Sequence, residues 1–348
     1  VRIGLLLLNM GGPERLKDVR PFLFRLFRDP DILPLPRWIR WLAWPLAFLI
    51  STFRAPKSRH AYASIGGGTP LVRNDKAVAK ALGERLAELG VVKSTVAMRY
   101  WHPLTDAGLD VLEFADVERI VAIPMYPQYS TTTTMSSFRE LRRRLAKRRR
   151  RWAPRLDVVV DYADDPGYLA CVRRRLEAAI ADLPADRGRT VILCSAHSIP
   201  VDRVRDDGDP YPAQIEAFVR AITAGLPGDL EVTLAYQSKV GPVEWIGPPI
   251  GDEIKRLAAD GVRSLVVVPV SFTSEHVETL EELDQEYREV ADKAGIAHWR
   301  RVPAVGADND FLDALETLAR RAIAGDVGDT TCRRGLGKGC LCQGEAAR

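Results

Sequence analysis

The pattern of the chain predicts an α/β protein built as two similar units, each around a parallel sheet. Three observations carry that reading. Apolar runs of strand length, such as residues 3–8, 190–194 and 264–270, alternate with segments whose apolar residues recur at helical spacing. Strands that alternate with helices join in parallel through right-handed crossovers. The runs are also continuous, as strands buried on both faces are. The plan repeats, and 348 residues are enough for two cores of ordinary size.

In the first half, a strand at 3–8 leads into a Gly-Gly-Pro turn. A helix around 18–27, an apolar Trp/Pro segment and a helix at 75–89 follow. Next come a strand at 95–99, a helix at 105–114 and a strand at 119–124. The loop Tyr126-Pro-Gln-Tyr-Ser-Thr-Thr-Thr-Thr134 then leads to a basic helix. The second half reads as strand 156–160, helix 168–181, strand 190–194, helix 211–224, strand 230–235, helix 251–259 and strand 264–270. Val277, Leu280 and Leu283 at helical spacing predict the next helix. A strand near 298–302 and a helix at 310–323 close the core. After Gly325 the apolar pattern is lost. The predicted domains are 1–155, which includes an apolar lip, 156–325, and a cysteine-rich tail at 326–348 that needs a staple.

An apolar content of 46% and a charged content of 28% fit a soluble globular protein, and a net charge of +4 is too mild to imply nucleic acid. Residues 139–151 concentrate nine basic residues. A solvated helix is the first reading of that run, anionic lipid the second and nucleic acid the third. The first residues run from a strand into a turn with no cleavage-site pattern. Residues 41–53 are free of charge but too short to cross a bilayer, which takes about 20. Residues 33–50 place Trp38, Trp41 and Trp44 beside Arg37 and Arg40. That composition suits a segment lying in a membrane interface and equally a core helix. The expectation is a cytoplasmic protein bound peripherally to an anionic membrane surface.

The chemistry gathers at three strand ends in the second half. Between Ser271 and Tyr287 stand six carboxylates (Glu275, Glu278, Glu281, Glu282, Asp284, Glu286) with no Lys or Arg, and His276 lies beside them. Glu278, Glu282 and Glu286 share one face of an α-helix, where each like-charged pair costs roughly 0.2–0.5 kcal/mol. Alone, the run reads as a solvated acidic helix. But strand 190–194 delivers His197, and strand 230–235 leads into a Gly/Pro loop presenting Trp245. The C-terminal edge of such a sheet is where ligands bind. Together they predict a cation site with a proton acceptor.

The Gly-rich loops Asn9-Met-Gly-Gly-Pro13 and Ile65-Gly-Gly-Gly-Thr-Pro70 lack nucleotide-binding spacing, and no Walker A sequence occurs. Nucleotide-driven chemistry is disfavoured. Three of the five cysteines crowd the tail as Cys332, Cys340 and Cys342, a spacing that suggests zinc or a [2Fe–2S] cluster with four sulfur ligands. The fourth ligand is then Cys171 or Cys194. Cys194 ends an apolar strand and reads as a small buried hydrophobe, which favours Cys171.

Eight motifs in order resemble the ferrochelatase family: Leu8-Asn-Met-Gly-Gly-Pro13, Ile65-Gly-Gly-Gly-Thr-Pro70, Arg99-Tyr-Trp-His-Pro103, Tyr126-Pro-Gln-Tyr-Ser130, Ser195-Ala-His-Ser198, Gln237-Ser-Lys-Val-Gly-Pro242, Trp245 and Phe272-Thr-Ser-Glu-His-Val-Glu-Thr-Leu280. The resemblance implies two Rossmann-like domains with a porphyrin cleft between them. It implies insertion of Fe²⁺ into protoporphyrin IX without ATP, as the last step of haem synthesis. By resemblance His197 is the active-site histidine and Glu278 its partner carboxylate, both on the substrate iron, with Glu282 and Glu286 as a relay. Arg54, Tyr62 and Thr69 would hold the porphyrin, and Met10, Trp245 and Phe272 would line its face. The partners implied are porphyrin, ferrous iron and a second copy of the chain, without nucleic acid. Some bacterial members carry a [2Fe–2S] cluster, here Cys171, Cys332, Cys340 and Cys342. Where animal members place one ligand, this chain has Thr131. The alternative is a membrane-docked iron–sulfur sensor, or a haem- or porphyrin-binding protein, on the same scaffold. It would need neither His197 nor the acidic row.

Overall fold

In the computed structural model, which describes residues 1–325 apart from 34, 240 and 242, the chain forms two four-stranded parallel sheets. The first unit comprises Val1–Asp161 and takes the chain again from Leu315. Its elements are β1 (Ile3–Asn9), α1 (Val19–Phe27), α2 (Ala43–Ser64), α3 (Leu71–Arg85), β2 (Val91–Met98), α4 (Thr105–Phe114), β3 (Arg119–Pro124), α5 (Thr134–Arg148) and β4 (Arg155–Val158). The strand order is β2-β1-β3-β4. β1 is buried along its whole length because neighbours flank it on both sides and helices cover the sheet. β4 pairs with β3, so residues 156–158 belong to the first sheet and not to the second half, where the sequence pattern placed them.

The second unit, Tyr162–Ala314, repeats the plan. It holds α6 (Pro166–Ala181), β5 (Thr190–His197), α7 (Val201–Arg205), α8 (Tyr211–Thr223), β6 (Glu231–Gln237), α9 (Ile250–Ala259), β7 (Ser264–Pro269), a π-helix (Glu278–Glu286), α10 (Tyr287–Ala294) and β8 (His298–Arg301). α11 (Asn309–Ala324) begins in this unit and ends in the first. The strand order is β6-β5-β7-β8, which puts β5 and β7 at the centre. Their apolar runs are buried against Ile250, Ile254 and Leu257 of α9 and Leu283 of the π-helix. α6 starts at Pro166 behind Asp165, whose carboxylate accepts from the Gly167 and Tyr168 N–H groups at 3.0 and 3.1 Å. Such a cap contributes about 1 kcal/mol.

Several expectations change on folding. The Trp/Pro segment continues as one 22-residue helix, α2, through Pro56. The acidic helix is a π-helix, closed by the Tyr287 N–H donating to the Glu282 carbonyl. Its acids are not a solvated, unpaired row: Arg301 pairs with Glu275 at 2.9 Å and with Asp284 at 2.6 Å. The basic helix α5 is largely neutralised in place. Arg143 and Arg144 grip Glu140, Arg148 reaches Asp106, Asp110 and Glu113 of α4, and Arg151 meets Glu113 at 2.6 Å. The tail, with Cys332, Cys340 and Cys342, lies outside the described residues.

Candidate active site

The register of the second sheet brings His197 and Gln237 side by side as the last residues of β5 and β6. Neighbouring groups then fix the His197 ring and backbone. Its N–H donates to the Ser271 hydroxyl at 3.1 Å, and Tyr211 donates its hydroxyl to the His197 carbonyl at 2.9 Å. Nδ1 lies 2.5 Å from the Ser198 carbonyl, which can only accept, so Nδ1 carries a proton. Nε2 is left facing Glu278, with Oε1 at 3.5 Å. His276 repeats the device from the other side. Its Nδ1 donates to the Ser274 carbonyl at 3.0 Å, and its Nε2 sits 2.9 Å from Glu278 Oε2.

A neutral imidazole with Nδ1 protonated presents only a lone pair at Nε2. A 2.9 Å contact with a carboxylate oxygen therefore needs a proton between them. The line His197–Glu278–His276 is thus a proton-holding unit with one carboxylate between two rings. Burial alone would lower the His197 pKa, but the Glu278 carboxylate outweighs it and holds the ring above the ordinary histidine range. Burial would raise Glu278, yet His197 first and His276 next hold it well below the usual carboxylate range. Glu282 goes the other way. Burial, and then the charge on Glu278, push it up to about 7.

Glu282 is held by residues that sequence separation hides. Ser238 donates its hydroxyl to Oε2 at 2.6 Å, and Gln237 donates Nε2 to the same oxygen at 3.0 Å. Gln237 also reaches the Glu278 carbonyl at 2.9 Å and accepts from the Ser195 hydroxyl at 2.6 Å. Ser238 takes φ +67°, a left-handed conformation that costs a non-glycine residue on the order of 1–3 kcal/mol. That strain aims its hydroxyl at Glu282. Glu286 is exposed at the far end of the π-helix. Phe272 sets its ring edge-on to His276 at 4.5 Å between centroids. Trp245 is tied to the end of β5 by backbone pairing of its neighbours with Ile199 and Val201, and its indole N–H is buried with no partner among the described residues.

The remaining predicted contacts lie in the first unit. Thr69 packs on the turn after β1: a Cβ on Gly12 would meet its Cγ2 at 2.6 Å, and a Cβ on Gly68 would strike the Glu14 carbonyl at 2.1 Å. The two glycine loops therefore interlock at Gly12 and Gly68, which places Met10 and Thr69 in one neighbourhood. Tyr62 is buried on α2, whereas Arg54 is exposed on the same helix with its guanidinium 5.6 Å above Phe27. Cys171 is buried on α6, 2.9 Å from an Arg175 nitrogen. Cys194 is buried inside β5, and burial pushes both thiols up to about 12. Among the described residues, no group of three or more His, Cys, Asp or Glu side chains is arranged to hold a metal ion.

His276, Gln237 and Ser238 were not assigned a role from sequence alone. The signals in the sequence are the place of His276 beside Glu278 and that of Gln237 and Ser238 at the start of one of the eight motifs. A strand-end histidine, a carboxylate that shares its proton, and a second carboxylate poised near neutrality can accept protons and receive a dication.

Known proteins share this organisation. A ferrochelatase family model matches residues 2–323. The ferrochelatase of Rippkaea orientalis is 46% identical over 323 residues, 92% of this chain and 83% of that protein. Those of Synechocystis sp. and Thermosynechococcus vestitus are each 45% identical, over 92% of this chain and 83% and 82% of theirs. The solved structure of SirB from Bacillus subtilis with Fe³⁺ aligns at a TM-score of 0.56 over 95% of this chain and 99% of its own, with 11% identity, a likeness of fold. With matches of that extent across the strand-end residues described above, this chain belongs to the ferrochelatase family.

Proposed function

We propose that this ferrochelatase inserts Fe²⁺ into protoporphyrin IX without ATP, as the closing step of haem synthesis, with His197 and Glu278 as its catalytic pair. The observation that carries the reading is the 3.5 Å approach of His197 Nε2 to a carboxylate already shared with His276. Insertion requires two pyrrole N–H protons to leave as a dication enters. Arrival of the dication at Glu278 first frees the Nε2 proton of the His197 imidazolium that this carboxylate holds, and the neutral Nε2 then takes one pyrrole proton while Nδ1 stays on Ser198. Glu278 receives the metal, and the arriving charge weakens its hold on the imidazolium protons, which favours their release. Glu282, poised near neutrality, exchanges the second proton with solvent through the exposed end of the π-helix at Glu286. These groups do the proton work themselves, so no nucleotide is required.

Phe272 and Trp245, with Met10, Tyr62 and Thr69, supply the apolar and hydrogen-bonding walls for the macrocycle, and Arg54 the cation for a propionate. The six large apolar side chains exposed along residues 38–53 support peripheral membrane attachment. A membrane source favours the two-carboxylate porphyrin over more highly charged relatives. A [2Fe–2S] cluster on Cys171, Cys332, Cys340 and Cys342 is part of the same reading. The Arg175 guanidinium 2.9 Å from Cys171 favours a thiolate against the larger opposing effect of burial, so the thiolate there would depend on the bound metal. When bound, the cluster would supply the cross-link that a tail without an apolar pattern lacks.

The test is anaerobic incubation with Fe²⁺ and porphyrin without ATP, followed by metalloporphyrin absorbance. The wild type should turn over, with protoporphyrin IX preferred to coproporphyrin. His197→Ala and Glu278→Gln should lose at least about a hundredfold in kcat while still binding porphyrin. Near-normal turnover by His197→Ala between about pH 6 and 8 would sink the assignment.

A further inference from the structure

We propose that Arg301 is a positioning residue that holds residues 278–286 in π-helical register, and so sets Glu278 between its two imidazoles and Glu282 against Ser238. The inference rests on the catalytic assignment of Glu278 and deepens it. Arg301 ends β8, on the strand next to β7, and its side chain is 11% exposed. Nε and Nη2 donate to the two oxygens of Asp284 at 2.6 and 2.8 Å, and Nη1 donates to Glu275 at 2.9 Å. Glu275 is itself fixed by the Ala304 N–H at 2.9 Å and the Thr279 hydroxyl at 2.5 Å. One rigid guanidinium therefore ties the residue just before His276 to the middle of the π-helix.

Helical phase gives that tie its consequence. Glu275 precedes the helix but is held by the hydroxyl of Thr279, which is within it. Over the five positions from Thr279 to Asp284 an α-helix turns about 140° beyond a full turn and sends the two side chains apart, whereas a π-helix, bonded to the fifth residue with roughly 4.4 residues per turn, turns only about 50° beyond one and keeps them on one side. A planar fork on a fixed strand end can hold both carboxylates only in the second arrangement. The backbone of residues 278–286 is π-helical, with the Tyr287 N–H donating to the Glu282 carbonyl, and the Gln285 side chain separately caps the Leu280 carbonyl at 3.2 Å. Relaxation to an α-helix would turn Glu282 by about 70° relative to Glu278, off Ser238 and Gln237.

The experiment compares kcat and porphyrin KM for wild type, Arg301→Lys, Asp284→Asn, and the triple variant Arg301→Met with Glu275→Gln and Asp284→Asn, which leaves no charge in the three-residue network. A crystal structure of the triple variant completes it. Misplacement of the acids should lower kcat at least about tenfold in Arg301→Lys and in the triple variant, with KM within about twofold and thermal unfolding of the triple variant near wild type. The structure should show residues 278–286 bonded to the fourth residue. Should the Arg301 variants fail to fold, Asp284→Asn decides, because its carboxylate is 35% exposed and its loss leaves no buried charge beyond the arginine. Folded variants with kcat within about twofold of wild type, or a π register that persists without Arg301, would overturn the proposal. Glu278→Gln, run alongside, separates the two ideas. If it is inactive while the triple variant is fully active, only the role of Arg301 falls; if it is fully active, the underlying assignment falls too.

Discussion

At the scale of single residues, three carboxylates on one short helix are driven to different protonation states by their neighbours. Glu275 is held below the usual range: burial would raise it, but Arg301, Thr279 and the Ala304 N–H prevail. Glu278 is held low by two histidines, and Glu282 is lifted to about 7. The last shift has a consequence for stability. A carboxyl whose folded pKa is raised favours the folded state below its unfolded value, near about 4.3, and that advantage is lost as pH climbs through about 7. Glu282→Gln should therefore stabilise the protein at pH 8 by on the order of 2 kcal/mol and have almost no effect at pH 4. Urea unfolding at the two pH values measures it, and equal effects at both would contradict the raised pKa.

At the scale of elements, α2 has its polarity inverted. It buries Ala47, Ser51 and Ala55 and exposes Trp44 at 56%, Phe48 at 42% and Phe53 at 79%, and Trp41 just before it is 72% exposed. α1 meets the edge of this exposed row, with Phe24 edge-on to Trp44 at 5.6 Å and Arg20 over Phe48 at 4.6 Å, and leaves the rest of it uncovered. A core helix would do the opposite, so between the two readings of this segment the exposure favours an interfacial one. No helix among the described residues is long and apolar enough to cross a membrane. Changing Trp41, Trp44 and Phe48 together to Ser should cut binding to anionic vesicles at least about tenfold in sedimentation, since Trp and Phe on one face supply most of such affinity. Thermal unfolding and turnover on detergent-dispersed porphyrin should stay near wild type. Unfolding of the variant would instead make these side chains structural.

At the scale of the whole molecule, two similar parallel sheets divide the labour. The second unit contains the His197–Glu278–His276 line, and the first contains the interlocked glycine loops and α2. Arg119 joins the ends of the first unit. It donates to the Ala322 and Ile323 carbonyls at 2.8 and 2.6 Å while paired with Asp157, and so fixes the point from which the tail departs. With a cluster on the proposed ligands, anaerobically purified protein should be coloured and carry two irons and two sulfides per chain. Cys332→Ser, Cys340→Ser, Cys342→Ser and Cys171→Ser should each bleach it, and Cys194→Ser, buried in apolar surroundings, should not. Zinc without sulfide would remove the cluster and leave the chelatase chemistry untouched.

The chain by itself determined the alternation of strands and helices, the parallel sheets, and the delivery of His197 to a strand end, because burial on both faces demands continuous apolar runs that survive any packing detail. Motif order also determined the family, since eight short matches in sequence need no coordinates. Tertiary structure decided what depends on distant partners. β4 falls at the boundary the sequence pattern sets between the two domains, and only its pairing with β3 assigns it to the first sheet. The acidic row looked unpaired because Arg301 lies 17 residues beyond Asp284. Ser238 and Gln237 lie more than 40 residues before the carboxylate they hold. The proton shared by His276 and Glu278 follows from which ring nitrogen meets a carbonyl, a matter of ångströms. Periodicity reports which face is buried; it carries no information on which charge across a sheet will neutralise it.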